Sequence, residues 1–202
     1  MHSNEISYTQ LNIGCLSRNK FWGEPVDRAC RAAQCTSTLL CLGDGTFLLV
    51  DPGLPYDQMK AALFNRRGIA PDKISSIFLT HFHGDHAVEL DRYERCHFFA
   101  SKEEIALGVG SLPVALEPMD DRFAGIRLVP LPGHTMGTAG LAFVSGGRKI
   151  LVAGDAVMTE DFFRACEGYF NVVDEEAAKQ SIRYAGANFD IIVLGHDIQF
   201  PV

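Results

Sequence analysis

Positive charge is the scarcer sign in this chain. Lys and Arg number 18 against 25 Asp and Glu, a formal net charge of −7. A surface that tracks a phosphate backbone needs a basic stripe. The densest basic spot, "NRRG" at 65–68, reads as a solvated helix end, so nucleic acid is not an expected partner. No apolar run approaches the ~18–20 residues that span a bilayer, and no membrane association is expected. The start, "MHSNEISYTQLNIGC", lacks a basic segment followed by an apolar one, so no signal peptide is read there. The 6 cysteines are scattered and none forms a C-x-x-C pair. They read as reduced core thiols of a cytoplasmic protein, not as a disulfide framework or a zinc finger. Repeats and low-complexity linkers are also missing, and 1–202 is read as one domain.

What is present is a pattern of strands and helices. "TSTLLCLGDGTFLLVDPG" (36–53) is two β-rich runs around a turn signal, a hairpin. "YDQMKAALFNRRG" (56–68) is an amphipathic helix closed by Gly68. "KISSIFL" (73–79) reads as a strand, 85–93 as a short helix, "HFFAS" (97–101) as a strand and "KEEIALG" as a short helix. The glycines and prolines of 108–124 predict mostly loop. "IRLVPL", "TAGLAFV" and "RKILVAG" are three further strands, 174–186 is a helix ending at Gly186, and 189–195 is a buried strand. Two halves that each end in a helix and a strand predict an α/β fold, two sheets face to face with helices outside.

Histidine is scarce as well, 7 in 202 residues, yet three fall in "THFHGDH" (80–86). An H-x-H-x-D-H string arises by chance in a chain of this composition about 6 times in 10,000. His81, His83, Asp85 and His86 follow the apolar run "ISSIFL"; His134 follows "VPLPG", Asp155 "ILVAG", His196 "IIVLG" and Asp51 "TFLLV". Strand ends gather on one edge of a scaffold, so these groups can converge. Imidazole and carboxylate together are ligands for zinc and its first-row neighbours. His81 and His83, two apart in an extended loop, point the same way and can grip one ion with His134. Asp85 and His86 can reach a second ion with His196, and Asp155 has two oxygens with which to bridge the pair. His2 and His97, outside this set, read as ordinary hydrogen-bonded or surface residues.

The quoted motifs, with "LLVDPG" (48–53), "LPGHTMGTAG" (131–140), "AGDA" (153–156) and "LGHD" (194–197), stand in an order that resembles the metallo-β-lactamase superfamily. The resemblance spans roughly 36–197 and implies a four-layer αββα sandwich. It implies His81, His83 and His134 around one metal, Asp85, His86 and His196 around another, Asp155 bridging, and Asp51 orienting the loop without touching metal. Zinc is the first expectation for both ions; iron and manganese suit similar donors. Asp85 is the expected catalytic group, accepting a proton from an activated water.

Departures from the pattern narrow the family. Antibiotic-hydrolysing members lack the bridging Asp. Flavo-diiron members place Glu where His83 stands. RNA-processing members are larger or carry appended elements. Hydroxyacylglutathione hydrolases often carry a C-terminal helical region, and only a short tail follows His196 here. Acyl-homoserine lactonases typically carry Tyr three residues after the bridging Asp, where this chain has Met158. The resulting expectation is a hydrolase for a small ester, thioester or lactone. The alternatives are a mononuclear iron enzyme like the persulfide dioxygenases, held by His81, His134 and Asp155, and a non-catalytic metal-binding protein. Oligomeric state has no signal in the sequence. The aromatic residues of 158–170 (Phe162, Phe163, Tyr169, Phe170), with "KFWG" (20–23), are candidates for an apolar wall or for ordinary packing.

Overall fold

A computed structural model describes residues 5–108 and 112–202. The first sheet runs β1 (Ser7–Gln10), β2 (Thr38–Cys41), β3 (Phe47–Val50), β4 (Ser76–Phe78), β5 (His97–Ala100) and β6 (Leu116–Pro118), side by side in that order. The second is built from β7 (Arg127–Pro130), β8 (Ala139–Ser145), β9 (Arg148–Gly154), β10 (Ile191–Leu194) and β11 (Phe200–Pro201), in the order β11-β10-β9-β8-β7. Between them in sequence lie α1 (Tyr56–Arg67), α2 (Lys102–Leu107), α3 (Glu160–Ala165) and α4 (Glu175–Asn188). Both sheets are mixed: β3, β4, β5 and β6 run parallel, as do β9 and β10, and the remaining pairs are antiparallel.

Side chains alternate across a strand, and here both faces are covered, so the strands read as near-continuous apolar runs. Leu48, Val50, Phe78 and Phe99 of the first sheet meet Leu141, Phe143, Ile150, Val152 and Val193 of the second in one cluster. The intervening residues point outward. Leu49, Ile77 and Phe98 pack with Met59 and Leu63 of α1. Leu151, Ala153, Ile192 and Leu194 pack with Ile182 and Ala185 of α4. The layers are therefore αββα. Fully burying one such aliphatic or aromatic side chain is worth about 1.5–3 kcal/mol, and this interdigitation fixes the relative position of the two sheets.

Most of the expected elements form, with differences that have local causes. The 36–53 hairpin and the helix closed by Gly68 are present, with Gly68 in the left-handed conformation. Residues 85–93 do not form an α-helix; only a 3-10 turn, Leu90–Arg92, appears there. Glu89 adopts φ 47°, which breaks helical geometry, and its carboxylate accepts from the Tyr56 N–H at 2.8 Å. Helix α4 runs past Gly186 to Asn188, because Gly186 lies against the Phe163 ring and not at the terminus. Strand β6 forms within 108–124; 109–111 and His2 lie outside the described residues. Strands β1 and β11 carry no strand signal of their own in the sequence. Both add at sheet edges through backbone pairing, with β1 on β2 and β11 on β10.

The strand order delivers the polar residues to one edge. Parallel strands end together, so β3 and β4 bring Asp51 and the 80–86 loop side by side, and β9 and β10 do the same for Asp155 and His196. Backbone bonds join the two edges: Ala139 N–H donates to Thr80 O at 3.1 Å, and Thr36 N–H to Gly195 O at 2.7 Å. Gly154 closes β9 at φ 53°, and a Cβ there would overlap the Thr80 side chain.

Candidate metal centre

Seven side chains from four loops converge at this edge in two sets. Donor atoms of His81, His83, His134 and Asp155 lie within 4.8 Å of one another, as do those of Asp85, His86 and His196. In the first set His83 Nδ1 stands 3.0 Å from His81 Nε2 and 2.8 Å from His134 Nε2. Asp155 Oδ2 faces the same point, 3.3 Å from His134 Nε2 and 3.7 Å from His81 Nε2. In the second set Asp155 Oδ1 is 3.0 Å from His86 Nε2 and 3.2 Å from His196 Nε2. Asp85 Oδ2 lies 3.5 Å from His196 Nε2. The two oxygens of Asp155 thus face the two sets.

Surrounding hydrogen bonds decide which ring nitrogens are bare. The Thr80 hydroxyl donates to Asp51 Oδ2 at 2.7 Å, so at 3.1 Å from His81 Nδ1 its oxygen accepts the ring proton. His86 Nδ1–H donates to Asp51 Oδ2 at 3.0 Å. His196 Nδ1–H donates to the carbonyls of Gln34, at 2.9 Å, and Cys15, at 3.1 Å. Each arrangement leaves Nε2 as a lone pair aimed inward, the usual way a second group orients a ligating imidazole. Asp51, at φ 51°, also accepts from the Thr80 N–H at 2.8 Å, so it pins the ligand loop at two points.

The donor set fits divalent cations. Three imidazole nitrogens, His81 Nε2, His83 Nδ1 and His134 Nε2, crowd together at 2.8–3.0 Å with a carboxylate oxygen beside them, a donor set that a cation between them would satisfy. Tetrahedral nitrogen ligands at about 2.0–2.1 Å from an ion stand about 3.4 Å apart, close to the spacings found here. His86 Nε2 and Asp155 Oδ1 are buried and 3.0 Å apart as an ion pair, yet neither has a hydrogen bond of good geometry, as expected of donors turned toward an ion.

Without a cation the site is electrostatically divided. Burial, and then the charge of His86, holds His81 well below the usual histidine range. Burial outweighs the pull of Asp155 and holds His134 down at about 4. For His86 burial opposes charging, but Cys35, Asp155 and Asp51 outweigh it and its pKa lies well above the usual value. At neutral pH that task falls to the two carboxylates, because burial pushes the Cys35 thiol up to about 11. His196 is raised because Asp155 overcomes its burial. Burial also works against the charge of Asp155, and His196, His86 and His134 overcome it, keeping it ionised well below the usual carboxylate range.

The model of the metallo-beta-lactamase superfamily matches residues 30–95, the segment that carries the hairpin and the H-x-H-x-D-H loop. Over that third of the chain the sequence is similar to the metallo-beta-lactamase superfamily, and the whole chain has the metallo-beta-lactamase fold. Its fold aligns over 98% of the chain with solved structures of the superfamily's architecture. A variant of B. thuringiensis AiiA with N-decanoyl-L-homoserine bound at its active site is 20% identical, with 95% of that chain covered and a TM-score of 0.71. A quorum-quenching N-acyl homoserine lactone lactonase is 21% identical, with 94% covered and a TM-score of 0.72. An N-acyl homoserine lactone hydrolase with N-hexanoyl-L-homoserine at its catalytic metal centre is 20% identical, with 95% covered and a TM-score of 0.70. No curated protein matches the sequence.

Within this superfamily fold, all seven residues singled out from the sequence meet at the site, and Asp51 lies behind it, hydrogen-bonded to His86. His97 is exposed and pairs with Glu117 at 3.0 Å, away from the cluster. The aromatic residues divide. Phe162 and Tyr169 are buried with Leu16 and Met158. Phe162, Tyr169 and Phe170 line a cavity of about 340 Å³ with Arg18 and Val26. Phe163 turns the other way, onto Phe200. Trp22 is exposed, its Nε1–H donating to Asp161 at 2.9 Å. Cys166 is half-buried, Sγ donating to the Lys179 carbonyl at 3.7 Å. Three contributions had no readable signal: Glu104, fully buried beside the ligand loops, and the carbonyls of Cys15 and Gln34. Every residue has a carbonyl, so residue type cannot mark it. Glu104 fits a helix-capping pattern with Ser101 and looks like nothing more in the sequence.

Proposed function

We propose that this protein is a metal-dependent hydrolase that holds two divalent ions, zinc first among them, and cleaves a small ester, thioester or lactone. The observation that carries the reading is Asp155, buried and ionised, with Oδ2 turned to one histidine set and Oδ1 to the other. A carboxylate so placed would bridge two ions. His81, His83 and His134 would hold one ion; Asp85, His86 and His196 would hold the other. When bound, such ions supply a water acidic enough to ionise near neutral pH and a Lewis acid for a carbonyl oxygen.

The chain's own groups supply the rest. Asp85 has a side chain 23% exposed, against 4% for Asp155, so Oδ2 reaches both the site and solvent and is placed to take the proton of the attacking water. Asp51 and Thr80 hold His86 and His81 in the tautomers that leave Nε2 free. The buried rings of His81, His86, His134 and His196 shield the inner side of the site from bulk water. The likeness to acyl-homoserine lactone enzymes supports a carbonyl substrate with an apolar tail. Met158 separates this chain from that activity: it is buried against Leu16 and puts no hydroxyl beside the ions. The cavity at Phe162, Tyr169 and Phe170 is the proposed seat of the tail.

Elemental analysis of protein purified without added metal, combined with a panel of thioesters, lactones and phosphodiesters, tests the reading. Two zinc per chain with turnover of a carbonyl substrate is expected. One iron per chain with oxygen uptake on a persulfide would replace it, and tight metal without turnover on any substrate would remove the catalytic role.

A further inference from the structure

We propose that the Glu104 carboxylate is a positioning residue that sets the geometry of the His81, His83 and His134 donors, an inference that rests on the metal-centre reading above. Glu104 is fully buried. A buried carboxylate is costly unless its oxygens are satisfied, and an apolar residue of similar size would fill the same space without that cost. Both oxygens are spent on the neighbours of ligands. Oε1 accepts from the N–H of Phe82, at 3.1 Å, and Phe82 sits between His81 and His83. Oε2 accepts from the hydroxyl of Thr135, the residue after His134.

These two loops come from different sheets, the first after β4 and the second after β7. One side chain therefore ties the sheets together where three of the donors emerge. The tie is held rigid from behind. Ser101 Oγ accepts from the Glu104 N–H at 3.0 Å and donates to the Gly137 carbonyl at 2.6 Å. A Cβ on Gly137 would overlap the Glu104 backbone, so the second loop lies directly on the first turn of α2. Thr135 is fixed in turn by Thr138, whose Oγ1 accepts its N–H at 3.0 Å. Small errors in donor placement weaken a metal site, and loss of an orienting partner costs about 10–100-fold in affinity.

The test compares Glu104→Ala, Glu104→Gln and Leu63→Ala, a core change in α1 that touches neither tie of Glu104. Zinc affinity is read by chelator competition, donor geometry by the visible absorption of added Co2+, and stability by thermal melting of the metal-free chain. Glu104→Ala should lose about 10–100-fold at one of two zinc sites and show an altered Co2+ band. Leu63→Ala should melt earlier yet bind both ions normally. Glu104→Gln keeps an acceptor for Phe82 and can donate to the Thr135 oxygen, so it should bind close to the wild type. Unchanged affinity in Glu104→Ala, or an equal loss in Leu63→Ala, overturns the inference, and a Gln variant as weak as Ala overturns the hydrogen-bond account. Should Glu104→Ala not fold, Thr135→Val, which removes only the hydroxyl tie, carries the same expectation. A wild-type chain that takes up no metal sinks the metal-centre reading itself, a different result from any of these.

Discussion

Asp51 Oδ2 accepts the Nδ1 proton of His86 at 3.0 Å, and the same oxygen accepts the Thr80 hydroxyl at 2.7 Å. One carboxylate at the end of β3 thereby governs the tautomers of His86 and, through Thr80, of His81. Asp51→Ala should therefore weaken zinc binding by about 10–100-fold, with the larger loss in the set that contains His86. Chelator competition on the variant measures it, and undiminished affinity would remove Asp51 from the account.

Asp155 should act on both sets at once, because its oxygens face different sets. Elemental analysis of Asp155→Ala is expected to find both ions depleted, whereas His86→Ala should lose only one. Equal stoichiometry in the two variants would show that Asp155 does not bridge.

Metal uptake should release protons. In the metal-free chain His86 lies well above the usual histidine range and keeps its proton at neutral pH, His196 is raised as well, and His81 and His134 are lowered and already neutral. A ligating imidazole must be unprotonated on the ligating nitrogen. The set with His86 must therefore lose protons to bind, and its affinity should fall as pH drops from 8 to 6. His81 and His134, both held down by burial, have no such proton to release, so the site they share should hold its affinity further into acid. Calorimetric zinc titrations in two buffers of different ionisation heat count the protons. A count of zero at neutral pH would contradict the assignment.

Gly154→Ala should destabilise the metal-free fold. The residue sits at φ 53°, a conformation that costs an L-residue about 1–2 kcal/mol, and its Cβ would strike Thr80. For a chain of this size that strain alone lowers Tm by about 2–8 °C, and the clash adds to it. A melting curve within a degree of the wild type would mean that the β9 end relaxes freely.

Phe162 and Phe163 should separate. Phe162 faces the cavity and Phe163 packs on Phe200. Phe162→Ala should shift acyl-length preference in a substrate series at unchanged metal content. Phe163→Ala should lower Tm and leave the preference alone. Identical substrate profiles for both variants would place the specificity pocket elsewhere.

The donors were legible in the sequence because a metal site needs particular residue types, and imidazoles and carboxylates at the ends of apolar runs stand out against a chain poor in histidine. The layered fold was legible because strand and helix periods are local. The short helix expected at 85–93 failed because that segment belongs to the site: Glu89 is bent into φ 47° to reach Tyr56. Edge strands β1 and β11 left no trace because their sequences carry little apolar alternation, and pairing with β2 and β10 makes them strands.

By itself, then, the sequence determined which atoms could bind an ion and in what order they follow along the chain. Tertiary structure decided that Asp155 divides its oxygens between two sets, that Glu104 ties loops of opposite sheets, and that backbone carbonyls of Cys15 and Gln34 orient His196. The physical reason is that donor chemistry is a property of single residues, whereas distance, tautomer and burial arise only when separate strands end side by side.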